Sequence, residues 1–170
     1  MPEESEPLMN QEDFLVIPYS RKHTRSISEH LFDGVPEEIV QNQREELLRP
    51  GPEEVFSVCA LCDAEMVGVC TGVRMRWAGS RHRIEMVQVV VRDGFRGRGV
   101  AREMMRSIAK HFSTRDVEII QISAEASNMN ALAAYENIGF RQFGILQDGL
   151  KYDNQRSDEI MMAAPIAAIL

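Results

Sequence analysis

Apolar residues recur along this chain in two rhythms. Val55 to Leu61, Met66 to Trp77, Arg83 to Val91 and Val117 to Ala124 are short runs rich in β-formers. Over Arg98 to Phe112 the apolar residues Ala101, Met104, Met105, Ile108 and Phe112 instead mark one face of a helix. Phe14 to Tyr19 reads as a first short strand. The polar, helix-capable stretch from Arg21 to Leu48 is broken at Asp33-Gly34-Val35-Pro36, which predicts two helices, and Arg49-Pro50-Gly51-Pro52 is a strong stop. Cys62-Asp63-Ala64-Glu65 joins the next two runs into a hairpin. Within Arg83 to Val91, plain alternation puts Ile84, Met86, Gln88 and Val90 on one face and Glu85, Val87, Val89 and Val91 on the other. The strand, helix and strand from Arg83 to Ala124 predict a right-handed βαβ unit. Ser127-Asn128 caps a short helix whose Ala131, Leu132, Tyr135 and Ile138 share a face, and Gly139 ends it. Phe140 to Lys151 and Glu159 to Ile166 finish as strands around a polar connection.

With 170 residues and 44% hydrophobic content, the chain supports one domain with a real core, taken as residues 14–170. Met1 to Asp13 carries five acidic residues and no basic one, and reads as a flexible, solvated leader. A net charge of −7 argues against a general nucleic-acid or anionic-membrane partner, because both need a basic field. No charged-then-apolar leader and no membrane-length apolar run stand out, so a cytoplasmic protein is expected. Cys59, Cys62 and Cys70 leave an odd count. The Cys59-x-x-Cys62 pair lies in a strand-like run with no second pair to complete a metal site, so reduced, buried thiols and no metal are expected. Trp77 and Met75 are expected to fill the hairpin core.

Charge is unevenly spread. Arg92, Arg96, Arg98, Arg102, Arg106 and Lys110 face only Asp93 and Glu103 in the same segment, around the turn Arg96-Gly97-Arg98-Gly99. A glycine turn that opens a helix offers unpaired N–H groups and the positive end of the helix dipole, a combination suited to a pyrophosphate. Three phosphate-binding patterns compete here. A P-loop needs Lys and Ser or Thr after its last glycine, but Val100 and Ala101 follow Gly99. The dinucleotide fingerprint meets Arg102 where its third glycine belongs, and only about seventy residues follow, too few for a full doubly wound sheet.

The third pattern fits. Arg96-Gly97-Arg98-Gly99-Val100-Ala101 resembles the Q/R-x-x-G-x-G/A signature of the GNAT superfamily of acetyl-CoA-dependent N-acetyltransferases. The segment from Ala126 to Phe140 is similar to a second pattern of that family, A-S-N-x-x-A-x-x-x-Y-E-x-x-G-F. Two motifs in the right order extend the resemblance over most of the chain from Phe14 onward. It implies an α/β (α+β) fold, with a mixed central sheet of six to seven strands flanked by about four helices. It further implies that the strand ending at Val91 and the next strand splay apart to admit the cofactor. On the same resemblance, the main chain of Val89, Val90 and Val91 would meet the acetyl and pantetheine part of acetyl-CoA. Arg96, Gly97, Arg98, Gly99, Val100, Ala101 and Arg102 would surround its pyrophosphate, and Asn128 would contact the pantetheine arm.

Acetyl transfer to an amine needs a neutral nitrogen, a polarised thioester carbonyl and a proton for the departing thiolate. Tyr135 occupies the family's general-acid position, and a phenol keeps its proton at neutral pH. Glu85, four residues before Val89 and so expected on the same side of the strand, matches a general-base position in one branch. Another branch carries a glutamate five residues before the motif asparagine, where this chain has Ser123. Glu125 and His82 are weaker base candidates. The acceptor, a primary amine of an unidentified small amine, amino acid, peptide or protein, would lie near Asp33 to Pro36 and the connection Asp148 to Asp158, whose aspartates read more simply as a polar hairpin tip. The alternatives are a non-catalytic acyl-CoA-binding or regulatory module and, more distantly, a nucleotide binder. The apolar tail Met161 to Leu170 offers a route by which a sheet would continue across a homodimer.

Overall fold

The computed structural model describes residues 14–170; the acidic leader expected at Met1 to Asp13 lies outside them. Seven strands form one sheet: β1 (Leu15–Pro18), β2 (Val55–Cys62), β3 (Glu65–Arg74), β4 (Arg83–Val91), β5 (Ile119–Glu125), β6 (Arg141–Tyr152) and β7 (Gln155–Pro165), in the order β1-β2-β3-β4-β5-β7-β6. Among the described residues only β4 and β5 pair in parallel. The helices are α1 (Thr24–Leu31), α2 (Glu37–Leu48), α3 (Val100–Ser113), α4 (Met129–Ile138) and the single turn α5 (Ile166–Ile169). The expected break at Gly34 separates α1 from α2, where Gly34 takes φ +79°.

Each face of the sheet has its own helices. On one side Val100, Met104, Met105, Ile108, Ala109 and Phe112 of α3 pack with Val58, Ala60, Cys70, Ile84 and Met86. On the other side Ile27 of α1 and Val40 of α2 pack with Cys59, Met66 and Val69. Cys59 and Cys70 are thus buried on opposite faces, and among the described residues no group of His, Cys, Asp and Glu is arranged to hold a metal ion. Two glycines of β3 let α3 come close. A Cβ on Gly68 would lie 2.9 Å from Met104 Cε, and one on Gly72 would lie 2.6 Å from Ile108 Cγ2. This close seat aims the N-terminus of α3 at the end of β4, where Arg92 N–H donates to the Val67 carbonyl (2.8 Å).

Several expectations need correction. The alternation read along Arg83 to Val91 fails at Gln88, which has φ +52° and forms a bulge: Thr71 pairs with Val87 and Val69 with Val90, so two β4 residues oppose Cys70 alone. The extra residue reverses the pleat, and Val89 and Val91 join Ile84 and Met86 on the α3 side while Val90 faces the α1 and α2 side. Glu85 therefore does not share a side with Val89. The tail Met161 to Leu170 cannot prolong a sheet across a dimer, because β7 is paired on both edges and the chain then turns into α5, whose Ile166 and Ile169 are buried. Trp77 is 83% exposed rather than core, since β3 ends at Arg74 and a one-turn 3-10 helix at Ala78–Ser80 carries the chain away. The segment Asp148 to Asp158 is mostly paired strand, with Asp148 N–H donating to Asp158 Oδ1 (3.0 Å).

Candidate functional site

β4 and β5 pair only through Arg83, Ile84 and Glu85 with Ile119, Ile120 and Gln121. Beyond Glu85 the pairing stops while both strands continue, to Val91 and Glu125, so the sheet opens into a fork. The bulge at Gln88 lies on one arm of it. Its side chain is gripped from α2: Arg44 Nη1 donates to Gln88 Oε1 (2.6 Å) and Thr71 Oγ1 (3.3 Å), and Nη2 donates to Ser57 Oγ. Arg44 is 1% exposed, stacks over the Tyr19 ring at 4.3 Å, and these three acceptors are all neutral oxygens.

At the mouth of the fork β4 passes into a one-turn 3-10 helix at Asp93–Phe95 and then the glycine turn. Gly97 and Gly99 have φ +75° and +84°, and a Cβ on either would meet nothing within 4 Å. Gly99 caps α3, and the first helical bond runs from Glu103 N–H to the Gly99 carbonyl, so the amides of Val100, Ala101 and Arg102 have no partner one turn back. This concave run of amides at a helix start, open where side chains would otherwise project, fits a diphosphate. Arg96, Arg98 and Arg102 are exposed around it. Arg96 Nε also donates to the Val91 carbonyl (3.1 Å), Arg98 lies over the Phe95 ring at 5.1 Å, and Arg102 Nη2 donates to the Asn137 carbonyl (2.8 Å). The amide cradle and the fork thus suit the two ends of acetyl-CoA.

Tyr135 is 8% exposed and belongs to the cluster on the α3 side of the sheet, edge-on to Phe140 at 6.2 Å between ring centres. Burial, and secondarily the nearby Cys70 thiol, push its phenol up to about 12. The Cys70 thiol, opposite the bulge, is itself pushed up to about 12 by burial. Asn128 does cap α4: its Oδ1 accepts from Ala131 N–H (3.1 Å).

On the opposite face Glu85 is half-buried, and its carboxyl is raised above the ordinary range by burial and then by the Glu159 carboxylate. Glu159 accepts a hydrogen bond from Ser123 Oγ (2.5 Å), so a carboxylate from β7 lies against the very position that lacks one in β5. Register puts Glu125 opposite Glu159, and Gln121 beside Glu85. His82 lies just before β4 and its carbonyl accepts from Glu118 and Ile119 N–H.

Arg44, Gln88, Gln121 and Glu159 escaped the sequence reading. Arg44 stands four residues after the buried Val40, a charged residue on the inner stripe of α2. Glu159 follows Gln155, Arg156, Ser157 and Asp158 at the polar end of β7, so in sequence it reads as part of the polar connection. Gln88 and Gln121 carry no comparable mark.

A forked mixed sheet, with an amide cradle at the helix that follows the parallel strand, defines the acyl-CoA N-acyltransferase class of fold. Residues 22–140 match the Acetyltransferase (GNAT) family, and the chain belongs to that family. It is 29% identical over 82 residues to the [Ribosomal protein bS18]-alanine N-acetyltransferase of Salmonella typhimurium, a match covering 48% of this chain and 55% of that one. The chain thus spans about half the length of the curated relatives it matches. Among solved structures, a ribosomal-protein-alanine N-acetyltransferase from Brucella melitensis superposes with a TM-score of 0.74 at 20% identity, over 89% of this chain and 99% of that one. A phosphinothricin acetyltransferase from Sinorhizobium meliloti, solved in complex with acetyl-CoA, superposes with a TM-score of 0.74 at 14% identity, over 90% of this chain and 88% of that one. No helix among the described residues is long and apolar enough to cross a membrane.

Proposed function

We propose that this protein is an N-acetyltransferase that moves an acetyl group from acetyl-CoA to an amine. Acetyl-CoA is consumed as a cosubstrate, its diphosphate held by the amides from Gly97 to Arg102 and its arm laid in the fork between Val89–Val91 and β5. The observation that carries this reading is the separation of Tyr135 and Glu85 onto opposite faces of the sheet beside one fork. Glu85 alternates with Ile84 and Met86 of the α3-side core, so it faces away from Tyr135. A thioester in the fork would be approached by an amine from the Glu85 side and would release sulfur toward Tyr135.

The balance of the step is simple. An ammonium loses one proton to the carboxylate side, the nitrogen lone pair forms the N–C bond, the C–S bond breaks with its electron pair on sulfur, Tyr135 gives the thiolate a proton, and the new amide sheds its second N–H proton, so that with the tyrosinate reprotonated from solvent one proton is released overall. The raised phenol is not a mismatch, because the same apolar surroundings penalise a thiolate and move both groups upward. The test is thiol release from acetyl-CoA with a panel of peptides, polyamines and amino acids, paired with a mass gain of one acetyl group on the acceptor. Turnover with at least one amine is expected; tight CoA binding with no transfer to any of them would leave only an acyl-CoA-binding module.

A further inference from the structure

The buried cation of α2 lies beside a cavity that the acyl-transfer site does not use. β1 ends at Pro18, opposite Val58, whereas β2 starts at Val55, so the first residues of β2 extend past the strand that borders them. The link from α2 closes over this gap and leaves a cavity of about 230 Å³. Leu48, Pro52, Val55 and Phe56 give it apolar walls, and Tyr19 and Ser57 also line it. Those last two residues touch the Arg44 guanidinium as well: it lies over the Tyr19 ring at 4.3 Å, and Ser57 Oγ accepts from its Nη2. Arg44 stands four residues before Leu48 on α2, so the two project from the same side of the helix.

Arg44 lacks two things that a buried arginine needs. Its acceptors on Gln88, Thr71 and Ser57 are neutral and leave its charge unbalanced, and its Nε is buried with no acceptor at all. A buried charge without a counter-charge is costly. Glu53 and Glu54, which follow Pro52 in the link, are paired instead with Arg115 and Arg81. A guanidinium presents Nε and Nη2 on one side as two parallel donors, a spacing that matches the two oxygens of a carboxylate. Nη1 is turned to Thr71 and Gln88 while Nη2 is turned to Ser57, which puts the unused Nε–H on the cavity side. We infer that this cavity binds a small monocarboxylate, with its oxygens meeting Nε and, together with Ser57, Nη2 of Arg44, and its short alkyl tail lying against Leu48, Pro52, Val55 and Phe56. A dicarboxylate would leave a second charge on the apolar walls, and an amide of the same shape would bring none to the arginine. Arg44 also holds Gln88 at the bulge, so a single side chain joins this site to the fork.

The test compares n-butyrate with its uncharged analogue n-butyramide on the wild-type chain, with no CoA present and sodium chloride as the ionic-strength control. Butyrate should bind saturably, raise the melting temperature and shift the amide signals of Val55, Phe56 and Ser57, and butyramide should do none of these. Leu48→Phe, which narrows the cavity and keeps the arginine, should weaken butyrate binding about tenfold while the protein stays folded. Arg44→Met should lose the discrimination between the two ligands. Equal responses to butyrate and butyramide, amide shifts confined to Gly97 to Arg102, or unchanged butyrate affinity in Leu48→Phe would each overturn the site. None of these readouts involves acetyl transfer, so failure of the acetyltransferase reading is separable from failure of the carboxylate site.

Discussion

Arg44 Nη1 donates to Gln88 Oε1 at 2.6 Å, tying the middle of α2 to the bulge that reverses β4. The same guanidinium reaches Ser57 of β2 and Thr71 of β3, so one side chain joins a helix to three successive strands. Burial lowers the Arg44 pKa, the expected direction for a desolvated cation whose hydrogen-bond partners here are neutral oxygens. Arg44→Met removes these donors and leaves buried oxygens without partners, at a cost of about 2–4 kcal/mol. A lowered denaturant midpoint together with a kcat loss larger than the change in acetyl-CoA KM is expected. A variant that melts normally and turns over normally would show the tether to be idle.

Tyr135→Phe keeps the ring against Phe140 and removes only the hydroxyl. We expect kcat to fall about 100-fold, a modest general-acid contribution, with acetyl-CoA affinity and melting temperature nearly unchanged. Because the phenol is pushed up to about 12, wild type should show no declining alkaline limb assignable to this residue in the ordinary assay range. Rate profiles from neutral to alkaline pH read this directly.

The base role proposed for Glu85 would set stability against activity. Its folded pKa is raised, so between the ordinary carboxylate value and the raised one the native state holds more protons than the unfolded chain, and stability falls as pH rises through that window. Above that window the ionised side chain therefore costs stability. Glu85→Gln should melt higher than wild type at about pH 7, with the gain shrinking toward about pH 4, and should acetylate more slowly. Differential scanning calorimetry at the two pH values is the check.

Gly99 and Gly51 offer a matched pair. Both have positive φ, +84° and +89°, and open space where a Cβ would project, so alanine at either carries the same backbone penalty of about 1 kcal/mol. Only Gly99 lies in the amide cradle. Gly99→Ala should raise the KM for acetyl-CoA about tenfold with a small change in kcat, as expected for lost uniform binding. Gly51→Ala should share the stability loss and leave the KM alone.

Gly72 and Gly68 separate stiff from yielding neighbours. A Cβ on Gly72 would strike Ile108 Cγ2 at 2.6 Å and Phe112 Cε2 at 3.1 Å, whereas on Gly68 the first contact is the mobile end of Met104 at 2.9 Å. A β-branched side chain in a helix cannot swing aside, while methionine can. Gly72→Ala should cost about 1–3 kcal/mol and Gly68→Ala distinctly less, as read from urea melts.

Local signals reach far in this chain. The two helices around Gly34, the hairpin of β2 and β3, the stripe of α3 and the cap at Asn128 all come from residues within a turn or two of each other. Two contiguous motifs likewise mark the amide cradle and Tyr135. The errors have one common origin. Alternation along β4 is a local rule, and the Gln88 bulge obeys a distant partner, Arg44, 44 positions earlier. Trp77 lies outside the core because pairing stops at Arg74, a boundary that nothing in the run from Met66 signals.

Local sequence alone determined the elements and the glycine turn that opens α3, because backbone preference and amphipathic spacing act over a few residues. Tertiary structure alone decided which carboxylates meet. Glu85 and Glu159 lie 74 positions apart in the chain, and Ser123 and Glu159 lie 36 apart, yet the order β4-β5-β7 gathers them on one face. Such a meeting depends on sheet order and register, which are settled by packing over the whole domain and leave no trace in the local sequence around any one of the three residues.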